Sequence, residues 1–176
     1  GMKFASLALI VTIVLVGVYL IIKGMANFEL KSSAFKQSET IPSRYTCDGE
    51  DVNPLLEIRN APEGTKSFVL IMDDPDATGG VTWNHWILFN IEPKTQYIAE
   101  GSVPGSALQG KNSWGRSNYG GPCPPHGSKP HRYMFKLYAL DTELNLSEGA
   151  TKQELEDATK GHILEQTVLT GLYQRK

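Results

Sequence analysis

The stretch "FVLIMDDPDATGGVTWNHWILFNI", residues 68–91, contains two apolar runs separated by a turn. The runs "FVLIMDD" (residues 68–74) and "HWILFNI" (residues 85–91) are almost continuously apolar, which predicts strands buried on both faces. The intervening "PDATGG" is rich in the residues that end a strand. A third run, "YMFKLYAL" (residues 133–140), alternates in polarity and predicts another long strand. Together these runs predict a sheet at the centre of one domain.

The rest of the chain predicts what surrounds this sheet. Shorter strands are predicted at residues 28–35 and 55–59, and turns rather than helices separate the strands, which favours an antiparallel or mixed β-sandwich. Helices are predicted only in residues 151–175, "TKQELEDATKGHILEQTVLTGLYQR", which open with a capping box of Thr151 and Glu154. The apolar spacing there predicts two helices packed on the sheet. The predicted fold is therefore mainly β with C-terminal helices.

Two further features of that C-terminal region are a glycine at position 161 and a histidine at position 162. Gly161 is interpreted as the break between the two predicted helices. His162 and Glu165 have a spacing that metal ligands can use, but the second histidine of a helical zinc motif is missing. We therefore interpret His162 as a structural or solvated residue of a helix.

The N-terminal part of the chain has a different composition from the rest. Residues 5–22, "ASLALIVTIVLVGVYLII", carry no charge and are long enough to span a bilayer core, which favours a retained signal-anchor over a cleaved signal peptide. Gly1 precedes Met2 and is interpreted as a remnant of cloning. The prediction is a leader in residues 1–26 and one domain in residues 27–176. That domain is expected outside the cytoplasm and anchored to the membrane, or secreted or periplasmic if the leader is cleaved.

Charge and cysteine content narrow the classes of function. Lys and Arg number 17 against 19 Asp and Glu, so no basic surplus indicates a nucleic-acid partner. The two cysteines, Cys47 and Cys123, allow one disulfide in an exported domain or two thiols, and the sequence leaves both open.

Polar side chains collect where the apolar strands begin and end. Asp74 and Asp76 follow the first buried strand, His85 opens the second, and His131 and Tyr133 open the third. An Asp after a strand is usually a turn former, and a lone histidine is usually structural. Three such strand ends in one sheet nevertheless predict a common pocket.

A rigid loop precedes the third strand. "GGPCPPHGSKPHRY", residues 120–133, has four prolines and three glycines, so it can be neither a helix nor a central strand. The backbone N–H groups of Gly120 and Gly121 are expected to be uncovered, and such groups in a fixed concave loop attract anions. Carboxylates beside the histidines are expected to raise the pKa of both imidazoles. The loop and strand ends therefore predict an anion pocket.

The two segments "DDPDATGGVTWNHWILFN" and "GGPCPPHGSKPHRYMFKLYALD", with "YTCDGEDVNPLLEI" and "GATKQEL", resemble the phosphatidylethanolamine-binding protein (PEBP) family. Within that family, the chain most specifically resembles the bacterial and archaeal YbhB/YbcL type, which is called Raf-kinase-inhibitor-like. The resemblance covers residues 28–173. It implies a β-sandwich-like fold with C-terminal helices. One position departs from the family pattern DPDAP, which ends here in Thr78, so the loop after Asp76 can differ. The ligand-binding residues that the resemblance and the strand ends imply are Asp74, Asp76, His85, Gly121, Pro122, Cys123, His131 and Tyr133.

The function expected from these residues is a binding module for a small anionic or phosphorylated ligand, including a phospholipid head group. No cofactor or metal is expected, because the sequence has no ligand quartet and a hydrogen-bonded His–Asp network is the simpler account. An enzyme such as a hydrolase that uses the Asp and His side chains is an alternative, but no nucleophile stands beside an evident base and no GxSxG motif is present. An inhibitor of a kinase or protease, or a homodimer, is the other alternative.

Overall fold

The computed structural model describes Thr12, Ile13, Leu15 and residues 26–176. The hydrophobic leader predicted at residues 5–22 therefore lies outside the described residues, except for those three, which are helical. Within the described ranges, no helix has the length and apolar character needed to cross a membrane. The elements in chain order are β1 (Glu29–Ser32), β2 (Leu56–Arg59), β3 (Ser67–Asp74), β4 (Trp83–Ile91), β5 (Tyr97–Ile98), β6 (Leu108–Gln109), β7 (His131–Leu140), α1 (Lys152–Thr159) and β8 (Ile163–Tyr173).

The strands form two antiparallel sheets. The smaller sheet has the order β1-β2-β5, and the larger has the order β6-β4-β3-β7-β8. The prediction of a mainly β fold with antiparallel strands is confirmed. The predicted first strand, residues 28–35, is shorter in the structure, where β1 covers Glu29–Ser32.

The apolar runs become strands because each buries two faces. On β3, Phe68, Leu70 and Met72 join the core cluster that also holds residues of the small sheet. Val69 and Ile71 point to the opposite side, where they pack with Leu155 of α1. The large sheet thus lies between the small sheet and the helix layer, which explains why β3 is buried along its whole length.

The prediction of two C-terminal helices is wrong in its second half. Thr151 caps α1 through the capping box with Glu154, as predicted, but the helix ends at Thr159. Gly161 then adopts a φ of +78°, and the chain continues as the eleven-residue strand β8 rather than a second helix. His162 lies in the intervening turn, where its Nδ1 contacts Asp141 Oδ1 at 2.8 Å.

The long strand replaces the helix because β7 offers it a full-length partner. β8 pairs with β7 from Ile163 to Tyr173. The segment Thr167-Val168, followed by Thr170 and Gly171, contains β-branched residues and a glycine that disfavour a helix.

Candidate functional site

A cavity of about 250 Å³ lies where β3 ends and where β4 and β7 begin. Its walls combine titratable, aromatic and proline side chains, namely Asp74, Ala77, Thr78, Trp83, His85, Trp114, Cys123, Pro124, Pro125, His131 and Tyr133. The predicted convergence of three strand ends is therefore present in the structure. Five of the eight sequence-predicted ligand-binding residues line this cavity.

His131 and Asp74 form a buried pair at one wall. Nδ1 of His131 lies 2.8 Å from Oδ2 of Asp74, and their side chains are only 8% and 5% exposed. Oδ1 of Asp74 accepts a hydrogen bond from the backbone N–H of Asp76 at 2.8 Å. Because a carboxylate only accepts, Nδ1 of His131 carries the proton, and its Nε2 remains the ring nitrogen available to a ligand.

A β-bulge delivers His85 to the same cavity. Met72 of β3 pairs with Trp86 and the next residue, Asp73, pairs with Asn84, so His85 is the extra residue on β4. The bulge turns the His85 ring toward Tyr133, whose ring centroid is 5.2 Å away in an edge-to-face arrangement.

The environment of His85 disfavours its charged form. Nδ1 of His85 lies 2.8 Å from the carbonyl oxygen of Gly120, which fixes the proton on Nδ1. Burial lowers the pKa of His85, although the Gly120 carbonyl and the charge of Asp74 act in the opposite direction. The expectation that nearby carboxylates raise the pKa of both histidines is therefore wrong for His85, because desolvation outweighs them.

The hydroxyl of Tyr133 is buried without an acceptor. Tyr133 follows His131 by two residues on β7, so alternation places both side chains on the same face of the strand. The ring is fully buried, and its Oη makes no hydrogen bond with the described residues. Burial, assisted by the negative charge of Asp74, raises the pKa of Tyr133, so the phenol stays a neutral donor. The indole N–H of Trp83, on a ring that also lines the cavity, is buried and unpaired in the same way.

Asp76 lies outside the cavity lining and binds Arg132. Its carboxylate accepts from Nε, Nη2 and the backbone N–H of Arg132 at 2.8, 2.8 and 2.9 Å. These hydrogen bonds lower the pKa of Asp76 to about 2. Asp76 thus fastens the turn after β3 to the start of β7, and Arg132 is a partner that the sequence reasoning missed.

The glycine N–H groups of the proline-rich loop are not free. The N–H of Gly120 donates to the His85 carbonyl at 3.1 Å, and that of Gly121 donates to Oδ1 of Asp51 at 2.7 Å. The prediction that these groups bind an anion is wrong, because the loop uses them to hold itself in place. Gly121 and Pro122 are buried behind the wall, whereas Cys123, Pro124 and Pro125 form its surface.

A disulfide ties this wall to the preceding loop. Cys47 and Cys123 are joined in the structure, with Cα atoms 5.4 Å apart. The N–H of Cys47 also donates to the carbonyl of Pro122 at 3.2 Å. The proline-rich loop is therefore fixed by a covalent bond as well as by its prolines.

Asp73, next in sequence to Asp74, has a different role. Strand alternation points it to the α1 side of the sheet, where Oδ2 accepts from Nζ of Lys136 and of Lys152, each at 2.9 Å. Burial acts to raise the pKa of Asp73, but the hydrogen bonds and charges of the two lysines lower it overall. Asp73 therefore anchors α1 to the sheet and does not face the cavity.

A larger groove of about 790 Å³ lies elsewhere, beside β1 and β8. Four of its charged side chains form surface ion pairs, Lys31 with Glu29 and Arg59 with Glu57. The groove lacks the buried unpaired donor and the buried His–Asp pair of the smaller cavity. We therefore take the 250 Å³ cavity as the candidate site. Among the described residues, no group of three or more His, Cys, Asp or Glu side chains is arranged to hold a metal ion.

The aromatic walls of the site were missed at the sequence level. Trp83 lies opposite Asp74 in the β3–β4 register and two residues before His85, so the pattern "WNH" contained a signal for it. Trp114 reaches the site from a loop and packs edge-on to both Trp83 and His85, at centroid distances of 5.4 and 5.1 Å. No local pattern in the sequence indicates that contact.

Comparison with known proteins places this chain in a family. The model of the phosphatidylethanolamine-binding protein family matches residues 31–174. A UPF0098 protein of Pyrococcus horikoshii is 46% identical over an alignment of 183 positions, gaps included, which covers 99% of this chain and 91% of that protein.

Two crystal structures of similar proteins share the fold. A phosphatidylethanolamine-binding protein homologue of Chlamydia trachomatis is 40% identical with a TM-score of 0.80, and the match covers 85% of this chain and 98% of that one. YbcL of Escherichia coli is 31% identical, also with a TM-score of 0.80, and the match covers 86% of this chain and 100% of that one. The chain therefore belongs to the phosphatidylethanolamine-binding protein family, among its UPF0098 and YbcL-type homologues from bacteria and archaea.

Proposed function

We propose that this protein is a binding module whose 250 Å³ cavity holds a phosphate group, either free or as part of a phospholipid head group. The observation that carries the proposal is the hydroxyl of Tyr133, which is buried beside the cavity without an acceptor. A buried donor without a partner costs about 1–3 kcal/mol, and an oxyanion in the cavity would remove that cost.

The two histidines support the same ligand class. Each has its Nδ1 engaged by the protein, by Asp74 in one case and by the Gly120 carbonyl in the other. The Nε2 atoms are the ring nitrogens left to a ligand, and a protonated Nε2 donates a charge-assisted hydrogen bond to a phosphate oxygen.

Binding of an anion is therefore coupled to protonation. Burial already disfavours the charged form of His85, so a bound phosphate would have to offset that cost. Affinity for phosphate is expected to fall as the pH rises through the lowered pKa of His85, because the free site then loses the proton that would be donated to a phosphate oxygen.

Isothermal titration calorimetry of a chain that begins at residue 27 tests the ligand class. Inorganic phosphate, phosphoethanolamine and vesicles of phosphatidylethanolamine are the test ligands, and ethanolamine is the control without a phosphate. We expect saturable binding of at least one phosphate ligand and none of ethanolamine. Binding of ethanolamine alone, or of no phosphate ligand between pH 5 and 8, would contradict the proposal.

The three ligands also separate the sources of the phosphate. Equal affinities for phosphate and phosphoethanolamine would indicate a free-phosphate site. Binding only to vesicles would indicate that a membrane surface contributes. Release of inorganic phosphate from phosphoethanolamine would instead support the hydrolase alternative.

We further propose that residues 5–22 tether the domain to a membrane. The support is an uncharged run of eighteen residues, which is the length that spans a hydrocarbon core. Fractionation of cells that express the full chain tests this. The protein should stay with membranes after alkaline carbonate extraction, whereas the chain that begins at residue 27 should not. Release of the full chain in an uncleaved form would contradict the tether.

A further inference from the structure

We propose that the Cys47–Cys123 disulfide is a site of exchange with small thiols. In this exchange Cys47 takes the incoming sulfur, and Cys123 leaves as a thiolate stabilised by Arg175. The proposal concerns the wall of the candidate cavity, but it does not depend on which ligand the cavity holds.

Both cysteines are accessible from solvent. Cys47 and Cys123 are exposed residues, although the loops that carry them are otherwise anchored. The buried prolines on either side of Cys123, Pro122 and Pro124, fix its position. Exchange requires a thiolate to approach a sulfur in line with the S–S bond, so an exposed disulfide is a better target than a buried one.

The charges around the two sulfurs differ. Nη1 of Arg175 lies 3.7 Å from Sγ of Cys123. The same guanidinium is held in place by Asp48, whose Oδ1 accepts from Nε at 3.0 Å and also lies 3.0 Å from Nη2. Asp48 in turn accepts from the hydroxyl of Tyr173 at 2.7 Å. A fixed cation beside a sulfur favours the thiolate form of that sulfur.

Among the described residues, no cation donates a hydrogen bond to Sγ of Cys47, and carboxylates follow this cysteine in the sequence. The carboxylates that follow Cys47 are those of Asp48, Glu50 and Asp51. The nearest arginine in sequence, Arg44, forms an ion pair with Glu50. Without such a cation beside it, Cys47 forms the less stabilised thiolate of the two. Since the better leaving group is the sulfur whose thiolate is more stable, attack is directed to Cys47 and departure to Cys123.

The exchange balances with a small thiol as the reductant. A thiolate attacks Sγ of Cys47, the Cys47–Cys123 bond breaks, and its electron pair goes to Cys123. The product is a mixed disulfide on Cys47 and a thiolate on Cys123. A second small thiolate attacks the added sulfur, which releases Cys47 and a small-molecule disulfide. The protein disulfide is reduced by two electrons, and two small thiols are oxidised.

The adduct position on the native protein tests the direction of attack. The protein is mixed with limiting 2-mercaptoethanol, which is uncharged as a thiol, quenched with iodoacetamide, and mapped by peptide mass spectrometry. We expect the 2-mercaptoethanol adduct on Cys47 and the carbamidomethyl group on Cys123. The reverse assignment would overturn the proposal, as would the absence of opening at thiol concentrations that open a small-molecule disulfide.

The role of the guanidinium is tested with Arg175→Gln, with Lys176→Gln as the matched control that removes a neighbouring positive charge. We expect Arg175→Gln to slow opening about threefold to tenfold and the control to stay within about twofold of the native rate. In a Cys47→Ser background, Arg175→Gln should also raise the pH at which iodoacetamide alkylates Cys123 at half its maximal rate. A merely structural role would leave that pH unchanged. Equal opening rates in the native protein and Arg175→Gln would overturn the proposal.

Discussion

Oδ2 of Asp74 lies 2.8 Å from Nδ1 of His131, although 57 residues separate them in the chain. The pair joins the end of β3 to the start of β7, and both side chains are more than nine-tenths buried. This contact fixes the orientation of the His131 ring in the cavity wall.

Loss of this buried carboxylate should destabilise the fold. Asp74→Ala leaves Nδ1 of His131 buried without an acceptor, so we expect the free energy of unfolding to fall by about 2–4 kcal/mol. Asp141→Ala is the control, because Asp141 contacts His162 at the same 2.8 Å distance while both side chains are nearly half exposed. Urea unfolding of the two variants should show a loss of at most about 1 kcal/mol for Asp141→Ala. Equal losses would show that burial of the pair does not determine its contribution.

The lowered pKa of His85 predicts a pH-dependent stability. The unfolded chain binds a proton near the ordinary pKa of 6.5, whereas folded His85 binds it only at lower pH. The free energy of unfolding should therefore fall as the pH drops below about 6.5, because the unfolded state takes up more protons.

His85→Gln isolates this contribution. The variant keeps an N–H group that can donate to the Gly120 carbonyl but cannot titrate. We expect the stability difference between the native protein and the variant to shrink between pH 8 and pH 5, as measured by urea unfolding. A difference that stays constant across that range would show that His85 is not held neutral by burial.

Gly171 in β8 lies where the core has no room for a side chain. A Cβ on Gly171 would lie 2.4 Å from Cγ1 of Ile41 and 2.8 Å from Cε2 of Phe35. Gly171→Ala should lower the free energy of unfolding by about 1–3 kcal/mol, because the core must shift to admit a methyl group. Gly105→Ala is the control, because a Cβ there meets nothing within 4 Å. A thermal midpoint for Gly171→Ala equal to that of the control would mean that this part of the core is loosely packed.

The strands were predictable where burial leaves a continuous apolar pattern. The runs at residues 68–74 and 85–91 became β3 and β4 because both faces of the large sheet are covered. β8 was predicted as a helix because Leu164, Val168 and Leu172 also fit a helical spacing. The β-branched residues and Gly171 weaken a helix here, and the pairing with β7, which is a long-range contact, decides for the strand.

The sequence predicted where the site lies on the sheet, but it did not predict the contacts that its residues make. Alternation along β7 accounts for His131 and Tyr133 on one face, which the sequence pattern contained. The bulge that turns His85 inward depends on pairing between β3 and β4. The bond between the Gly121 N–H and Asp51 spans 70 residues, so no local pattern could show that this donor is occupied.

The most direct test of the proposed phosphate site is calorimetric titration of the native protein and Tyr133→Phe with inorganic phosphate at pH 6. The substitution removes the unpaired Oη and keeps the buried ring. Tyr97→Phe, which removes the hydroxyl of an exposed tyrosine outside the cavity, is the control. We expect Tyr133→Phe to bind phosphate about tenfold more weakly, which corresponds to about 1.4 kcal/mol, and Tyr97→Phe to bind like the native protein. Equal phosphate affinity in the native protein and Tyr133→Phe would contradict the account.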